Sequence, residues 1–164
     1  MTLVALVRDV SASIVNCELT HLSRVPIDFA AASRQHDAYS QALAALGCVV
    51  EHVPVGADMP DSVFIEDTAV VLDEVAIITR PGAESRRGET PAVEFALASY
   101  REVRRMEAPA TLDGGDVLSV GRAIYVGVSG RTNAAAVDQL RASVSPFGFS
   151  VEAIEVREIG RAHV

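Results

Sequence analysis

Apolar residues in this chain fall into short runs separated by helix-length amphipathic stretches. Thr2 to Val7 reads as a buried strand. Phe29 to Leu46 reads as a helix, with Asp28 placed to cap its first turn and Gly47 to stop it. Its apolar face carries Tyr39, Ala42, Leu43 and Leu46. Cys48 to Val53 follows as a strand, which Pro54 ends. Thr68 to Leu72 and Val75 to Thr79 form two strands around an Asp73-Glu74 turn. A polar loop from Arg80 to Glu89 then leads to a helix capped by Thr90 and running as far as Tyr100, with Pro91 at its first position, where a missing N–H costs nothing. Glu102 to Met106 is the next strand.

The same order then recurs. Asp116 to Val120 is a strand, Gly121-Arg122 a turn, Ala123 to Gly127 a strand, Gly130-Arg131 a loop, Asn133 to Val144 a helix and Val151 to Val156 a strand. Each copy opens on an acidic group, Glu66-Asp67 in one and Asp116 in the other. The N-terminal stretch reads as a third copy with a less regular front half. Repetition at roughly 50 residues marks a modular α/β array whose units bury their faces on one another.

Composition narrows the class. With 164 residues, 49% hydrophobic and 22% charged, the chain is globular rather than disordered. No apolar run approaches the roughly 18 residues that would span a bilayer, and the start lacks the basic region of a signal peptide. A formal charge of −8 argues against nucleic acid as a partner. Every one of the 14 basic residues is Arg, so Arg abundance alone carries no functional weight. Cys17 and Cys48 lack metal-ligand spacing and read as free thiols of a reducing, cytoplasmic compartment.

Three groups of residues have chemical potential. Pro60-Asp61-Ser62-Val63-Phe64-Ile65-Glu66-Asp67 mixes three carboxylates with an apolar trio that draws them inward, where an unpaired charge is costly. Leu112-Asp113-Gly114-Gly115-Asp116 is the second acidic group, and the two together suggest a pocket for a small cation. Arg80-Pro81-Gly82-Ala83-Glu84-Ser85-Arg86-Arg87-Gly88-Glu89 places arginines between a strand end and a helix start, and Arg131 occupies the matching loop of the next copy. Guanidinium forks there suit capture of a carboxylate. Plainer readings stay open: turn chemistry for Asp-Gly-Gly-Asp, a capped bend at Asp61, and arginines that are solvated or paired with Glu84 and Glu89. Of the histidines, His36 reads as structural beside Tyr39, His52 as an exposed strand end, and His21 as a residue near Leu19.

Taken together, Asp61 to Asp67, Ile78 to Arg87, Leu112 to Leu118 and Gly130 to Asn133 resemble dimethylarginine dimethylaminohydrolase, in that family's order and spacing. The resemblance runs to about residue 157 and implies a five-bladed α/β-propeller (pentein), here partial, with about three ββαβ modules. It implies hydrolysis of Nω-methylated arginine to citrulline and a methylamine, with no metal or organic cofactor. By similarity, Asp67 and the catalytic Asp113 grip the guanidinium, and Glu66 supports that wall. Arg86 and Arg131 hold the substrate carboxylate, and the Leu19 carbonyl and Asp61 hold the α-amino group. The implied partner is a small molecule, without nucleic acid or membrane, and a homo-oligomer stays open.

Two family groups are not matched. The family's catalytic His block follows the strand equivalent to Val151–Val156, and the equivalent position here is Arg161, with His163 two residues on. The family's nucleophilic Cys lies near the C-terminus of the full enzyme, and neither Cys17 nor Cys48 matches it. Glu158 to Val164 spells what a widely used sequencing adapter encodes in one frame. The expectation is therefore a truncated gene: residues 1–157 as an incomplete propeller domain, residues 158–164 as a non-native tail, and a chain that is inactive by itself. The alternatives are a related arginine deiminase or amidinotransferase, and a noncatalytic binder of arginine-type ligands.

Overall fold

The computed structural model describes residues 3–19, 23–54, 56 and 58–155. His21, Arg161, His163 and the 158–164 tail lie outside them. The chain divides into two compact units, Met1–Ile65 and Glu66–Val164.

In the first unit, β1 (Val4–Val7) pairs in parallel with β2 (Val49–His52), in register Val4↔Val49. Between them runs α1 (Phe29–Ala45), and the Asp28 carboxylate accepts the Ala31 amide at 3.0 Å as its cap. Gly47 ends the helix region with φ +92°, a conformation that favours glycine. The expected apolar face of α1 is not buried: Tyr39 is 57% exposed and Leu46 82%. The sheet in this unit has only two strands, too narrow a surface to cover a 17-residue helix. His36 packs near Tyr39, and His52, half exposed, pairs with Asp9 at 2.8 Å.

The second unit contains the two regular repeats. β3 (Ala69–Val71) pairs antiparallel with β4 (Val75–Ile78), and α2 (Thr90–Leu97) leads to β5 (Glu102–Arg105), parallel to β4. β6 (Val117–Val120) pairs antiparallel with β7 (Ala123–Val128), and α3 (Ala134–Val144) leads to β8 (Ser150–Glu155), parallel to β7. The three-stranded sheets thus share one topology, with the second strand central. A parallel return requires a crossover, which each helix supplies. β4 is buried along its whole length, as a central strand covered on both faces should be, while β7 buries Ile124 and Val126 on alternate positions. α3 turns Ala136, Val137, Leu140 and Val144 inward at helical spacing, onto a core that includes Ile77, Leu112, Ile124 and Val126.

Two local departures from the sequence reading matter. Residues 84–89, expected as a loop, form a 3-10 helix, and α2 starts at Thr90 with Glu89 rather than Thr90 in the cap position. The strand expected from Asp116 starts one residue later, because Gly114–Asp116 is a 3-10 turn.

Truncating the core and the unburied helix should have very different consequences. Leu140→Ala is expected to cost about 2–5 kcal/mol, whereas Leu46→Ser should stay within about 0.5 kcal/mol. Chemical denaturation of the two variants measures both, and equal losses would contradict the assigned core.

Candidate functional site

The backbone brings the two acidic groups of the second unit together. Asp67 sits in the 3-10 turn Ile65–Thr68 that feeds β3, and Thr79 Oγ1 donates to the Asp67 carbonyl at 2.7 Å, tying that turn to the end of β4. One Asp67 carboxylate oxygen accepts the Gly115 amide at 3.0 Å, from the opening turn of the next repeat. Both glycines of Asp-Gly-Gly-Asp are required by this approach. A Cβ on Gly115 would lie 2.7 Å from Asp67 Oδ1, and one on Gly114 would collide with the Glu66 carbonyl oxygen. Glu66 itself is exposed.

Asp113 is fully buried and lies between the two arginine loops. The segment leading to it is laced to both: the Leu112 amide donates to the Arg80 carbonyl at 2.9 Å, and the Asn133 amide to the Thr111 carbonyl at 3.0 Å. The Gly82 amide donates to one Asp113 oxygen at 3.0 Å, and Arg131 Nη1 stands 3.3 Å from the other. Gly82 packs so closely on Arg131 that a Cβ would fall 2.5 Å from the Arg131 carbonyl oxygen. The Asp113 amide donates to Thr132 Oγ1, whose hydroxyl donates to Asp116 Oδ2 at 2.6 Å. The Asp-x-x-Asp spacing therefore fastens Arg131's loop from beneath.

Arg86 departs from the expected arrangement. The sequence reading set it at the far end of a ligand from Asp67, but the structure makes the two an ion pair, Arg86 Nη1 to Asp67 Oδ2 at 2.5 Å. The cause is the 3-10 helix. Residues i and i+3 eclipse in that geometry, so Arg86 meets Glu89 through Nε at 3.1 Å and Nη2 at 2.9 Å, and Arg87 meets Glu84 at 2.8 Å. Arg86 and Glu89 are each 2% exposed. Burial alone would lower the Arg86 pKa, but the Glu89 and Asp67 carboxylates outweigh it and hold the guanidinium above its usual value. Arg131, by contrast, is a quarter exposed. The plainer reading of the arginine loop, pairing with Glu84 and Glu89, is thus what its geometry realises. The i,i+3 spacing of Arg86 and Glu89 was the sequence signal for it.

In the first unit, both oxygens of the buried Asp61 accept the Glu18 amide at 3.1 Å. This brings the remaining two expected residues together, because Leu19, 39% exposed, is next in the chain. Among the described residues no group of three or more His, Cys, Asp or Glu is arranged to hold a metal ion. No helix among them is long and apolar enough to cross a membrane.

Removing Arg86 should deprive the buried Asp67 and Glu89 carboxylates of their shared guanidinium. Arg86→Ala is expected to cost about 3–5 kcal/mol, more than Arg87→Ala, whose partner Glu84 is exposed and whose pair is worth at most about 1 kcal/mol. Thermal unfolding of the two variants tests the order, and a reversed order would refute the assignment of the buried pair.

Residues 31–159 match the family model described as arginine deiminase. The chain is 50% identical over 156 residues to the N(G),N(G)-dimethylarginine dimethylaminohydrolase of Streptomyces coelicolor, covering 94% of this chain and 60% of that protein. It is 40% identical over 134 residues to the enzyme of the same name from Pseudomonas aeruginosa, covering 80% and 53%. A crystal structure of a cysteine-to-serine variant of the Pseudomonas aeruginosa enzyme, complexed with citrulline, superposes with a TM-score of 0.90 at 38% identity, covering 97% of this chain and 63% of that one. The N-terminal domain of a cyanobacterial arginine dihydrolase shares the fold, with a TM-score of 0.81 at 18% identity, over 93% of this chain and 58% of that one. The chain therefore spans less than two thirds of the length of these relatives, and it belongs to the family of arginine deiminases and dimethylarginine dimethylaminohydrolases.

Proposed function

We propose that this chain carries the guanidinium-binding part of an amidine hydrolase that converts Nω-methylated arginine to citrulline and a methylamine. Its sheets are read as modules of a five-module α/β-propeller. The observation that carries the reading is the junction of the two acidic groups, with Asp67 accepting the Gly115 amide two residues from Asp113. Among the described residues, the buried carboxylates of Asp67 and Asp113 lie beside Arg86 and Arg131. Buried carboxylates favour a cation that can also donate directional hydrogen bonds to them, and a planar guanidinium does both.

The proposed roles follow from that charge. Asp67 and Asp113 take the guanidinium, with Glu66 beside them. Arg131 and Arg86 take the ligand's carboxylate, and Arg86 reaches it only by leaving Asp67. The Leu19 carbonyl and Asp61 are the proposed acceptors for the α-amino group. A guanidinium is a poor electrophile because resonance spreads its charge. Fixing its plane against carboxylates presents the central carbon to a thiolate, and an imidazole then protonates the departing amine and activates the water that releases citrulline. Relatives studied as a cysteine-to-serine variant with citrulline and as a histidine-to-glycine variant with S-methyl-L-thiocitrulline favour that pair of groups. Cys17 and Cys48 match neither role, so the 164 residues by themselves are read as inactive.

A second reading is favoured by the family model, whose description is arginine deiminase. There the substrate is unmethylated arginine. A noncatalytic binder of arginine-type ligands is the third.

Turnover separates these readings. The complete gene product should release citrulline from dimethylarginine in preference to arginine, and preference for arginine would move the assignment to the deiminase. Asp67→Asn and Asp113→Asn should each lower kcat/KM on the order of 100-fold, or about 2.7 kcal/mol, as expected for a truncated buried charge pair. Citrulline formed above a blank by the purified 164-residue chain would overturn the proposed inactivity, and dimethylarginine binding by it without turnover would favour the binder.

A further inference from the structure

Thr132 is fully buried and follows Arg131 directly in the chain. Its hydroxyl accepts the Asp113 amide at 3.1 Å and donates its proton to Asp116 Oδ2 at 2.6 Å. A hydroxyl has one proton to give, so Thr132 offers none to a ligand's carboxylate. What it does hold is main chain. Asp113 and Asp116 bracket one 3-10 turn, closed by the Asp116 amide on the Asp113 carbonyl at 2.9 Å. The loop before Thr132 meets the same carboxylate: Ser129 Oγ accepts the amides of Arg131 at 3.1 Å and Thr132 at 3.3 Å, and donates to Asp116 Oδ2 at a longer 3.3 Å. Two hydroxyls thus fasten the backbone on either side of Arg131 to Asp116. These anchors act on residues 129–132 as main chain, so they hold whatever the Arg131 side chain meets. Asp113 has further ties of its own, through the Leu112 amide on the Arg80 carbonyl and the Gly82 amide on its carboxylate. Losing the Thr132 hydroxyl therefore loosens Arg131 more than Asp113.

We propose that Thr132 is a positioning residue for ligand selection: by fixing the main chain of Arg131 against the Asp113–Asp116 turn, its hydroxyl makes the site favour guanidino compounds that carry an α-carboxylate over those that lack one. This rests on the guanidinium-binding reading above, with Arg131 as carboxylate donor, and deepens it. The physical cause is preorganisation. An arginine on a loose loop must be ordered when the carboxylate arrives, and that ordering is subtracted from the affinity. A ligand without a carboxylate makes no such demand. A residue that served only to hold the fold would affect both ligands alike.

The test compares the complete gene product with its Thr132→Val variant, which removes the hydroxyl and nearly keeps the shape, and with Thr132→Ser, which keeps the hydroxyl. Initial rates give KM and kcat for dimethylarginine, and inhibition by its decarboxylated counterpart, dimethylagmatine, gives the affinity for the guanidinium end alone. Thr132→Val is expected to raise KM for dimethylarginine on the order of tenfold, as loss of a hydrogen bond to a charged group implies. Both kcat and inhibition by dimethylagmatine should change by less than about threefold. Thr132→Ser should restore most of the loss. Equal weakening of both ligands, a fall in kcat at constant KM, or no change in any of them overturns the proposal. If Thr132→Val does not fold, Ser129→Ala takes its place: Ser129 is exposed, and its hydroxyl is the acceptor of the Arg131 amide. A rise in KM for dimethylarginine alone then supports the proposal, and an equal or absent effect overturns it. A wild type that turns over no guanidino compound, or that shows no preference for the carboxylate-bearing ligand, sinks the parent reading and this one with it. An active, carboxylate-preferring wild type whose variants are insensitive sinks only this one.

Discussion

The carboxylate of Asp67 accepts the Gly115 amide with one oxygen and the Arg86 guanidinium with the other. Much of the second unit's order hangs on those two bonds. A carboxylate cannot stay buried without donors. Here one donor comes from the neighbouring repeat and one from the same repeat's arginine loop, so satisfying a single charge joins two modules and folds a loop. The glycines of the second acidic group follow from the same constraint, since side chains there would push the two turns apart.

Asp113 repeats the solution in mirrored form. Its partners are a backbone amide from the first arginine loop and the guanidinium of the second. Each acid is therefore clasped by one main-chain N–H and one arginine, but the two arginines differ in burial. Arg86 is enclosed and shared between Asp67 and Glu89, whereas Arg131 keeps a quarter of its side chain exposed. The two arginines thus differ in environment, although both occupy the same place in the repeat.

The core reinforces this layout. Among the described strands β4 and β7 carry the most buried residues, and the acidic and arginine-bearing turns lie at strand ends, where the backbone leaves its ladder and its amides become available. Gly82 and Gly115 use such amides to hold Asp113 and Asp67. Directional hydrogen bonds from a rigid sheet position charge more precisely than mobile side chains.

Much of this was legible in the sequence because it is local. The alternating runs located the eight strands and three α-helices of the described residues, and Asp28 and Asn133 cap their helices as short polar residues before an apolar stretch should. The repeat, the two acidic groups and the arginine loops were visible as residue order alone. The exposure of α1 was not legible, since an apolar face says nothing about whether a surface exists to cover it. The pairing of Arg86 was not decided by order either: whether an arginine meets solvent, a ligand or Glu89 depends on whether residues 84–89 run as a loop or as a 3-10 helix. Sequence by itself determined which charges this protein carries and in which turns. Tertiary structure alone decided which charge neutralises which, because ion pairing in a low-dielectric interior depends on distances of a few ångströms between groups that, for Asp67 and Arg86, lie 19 residues apart in the chain.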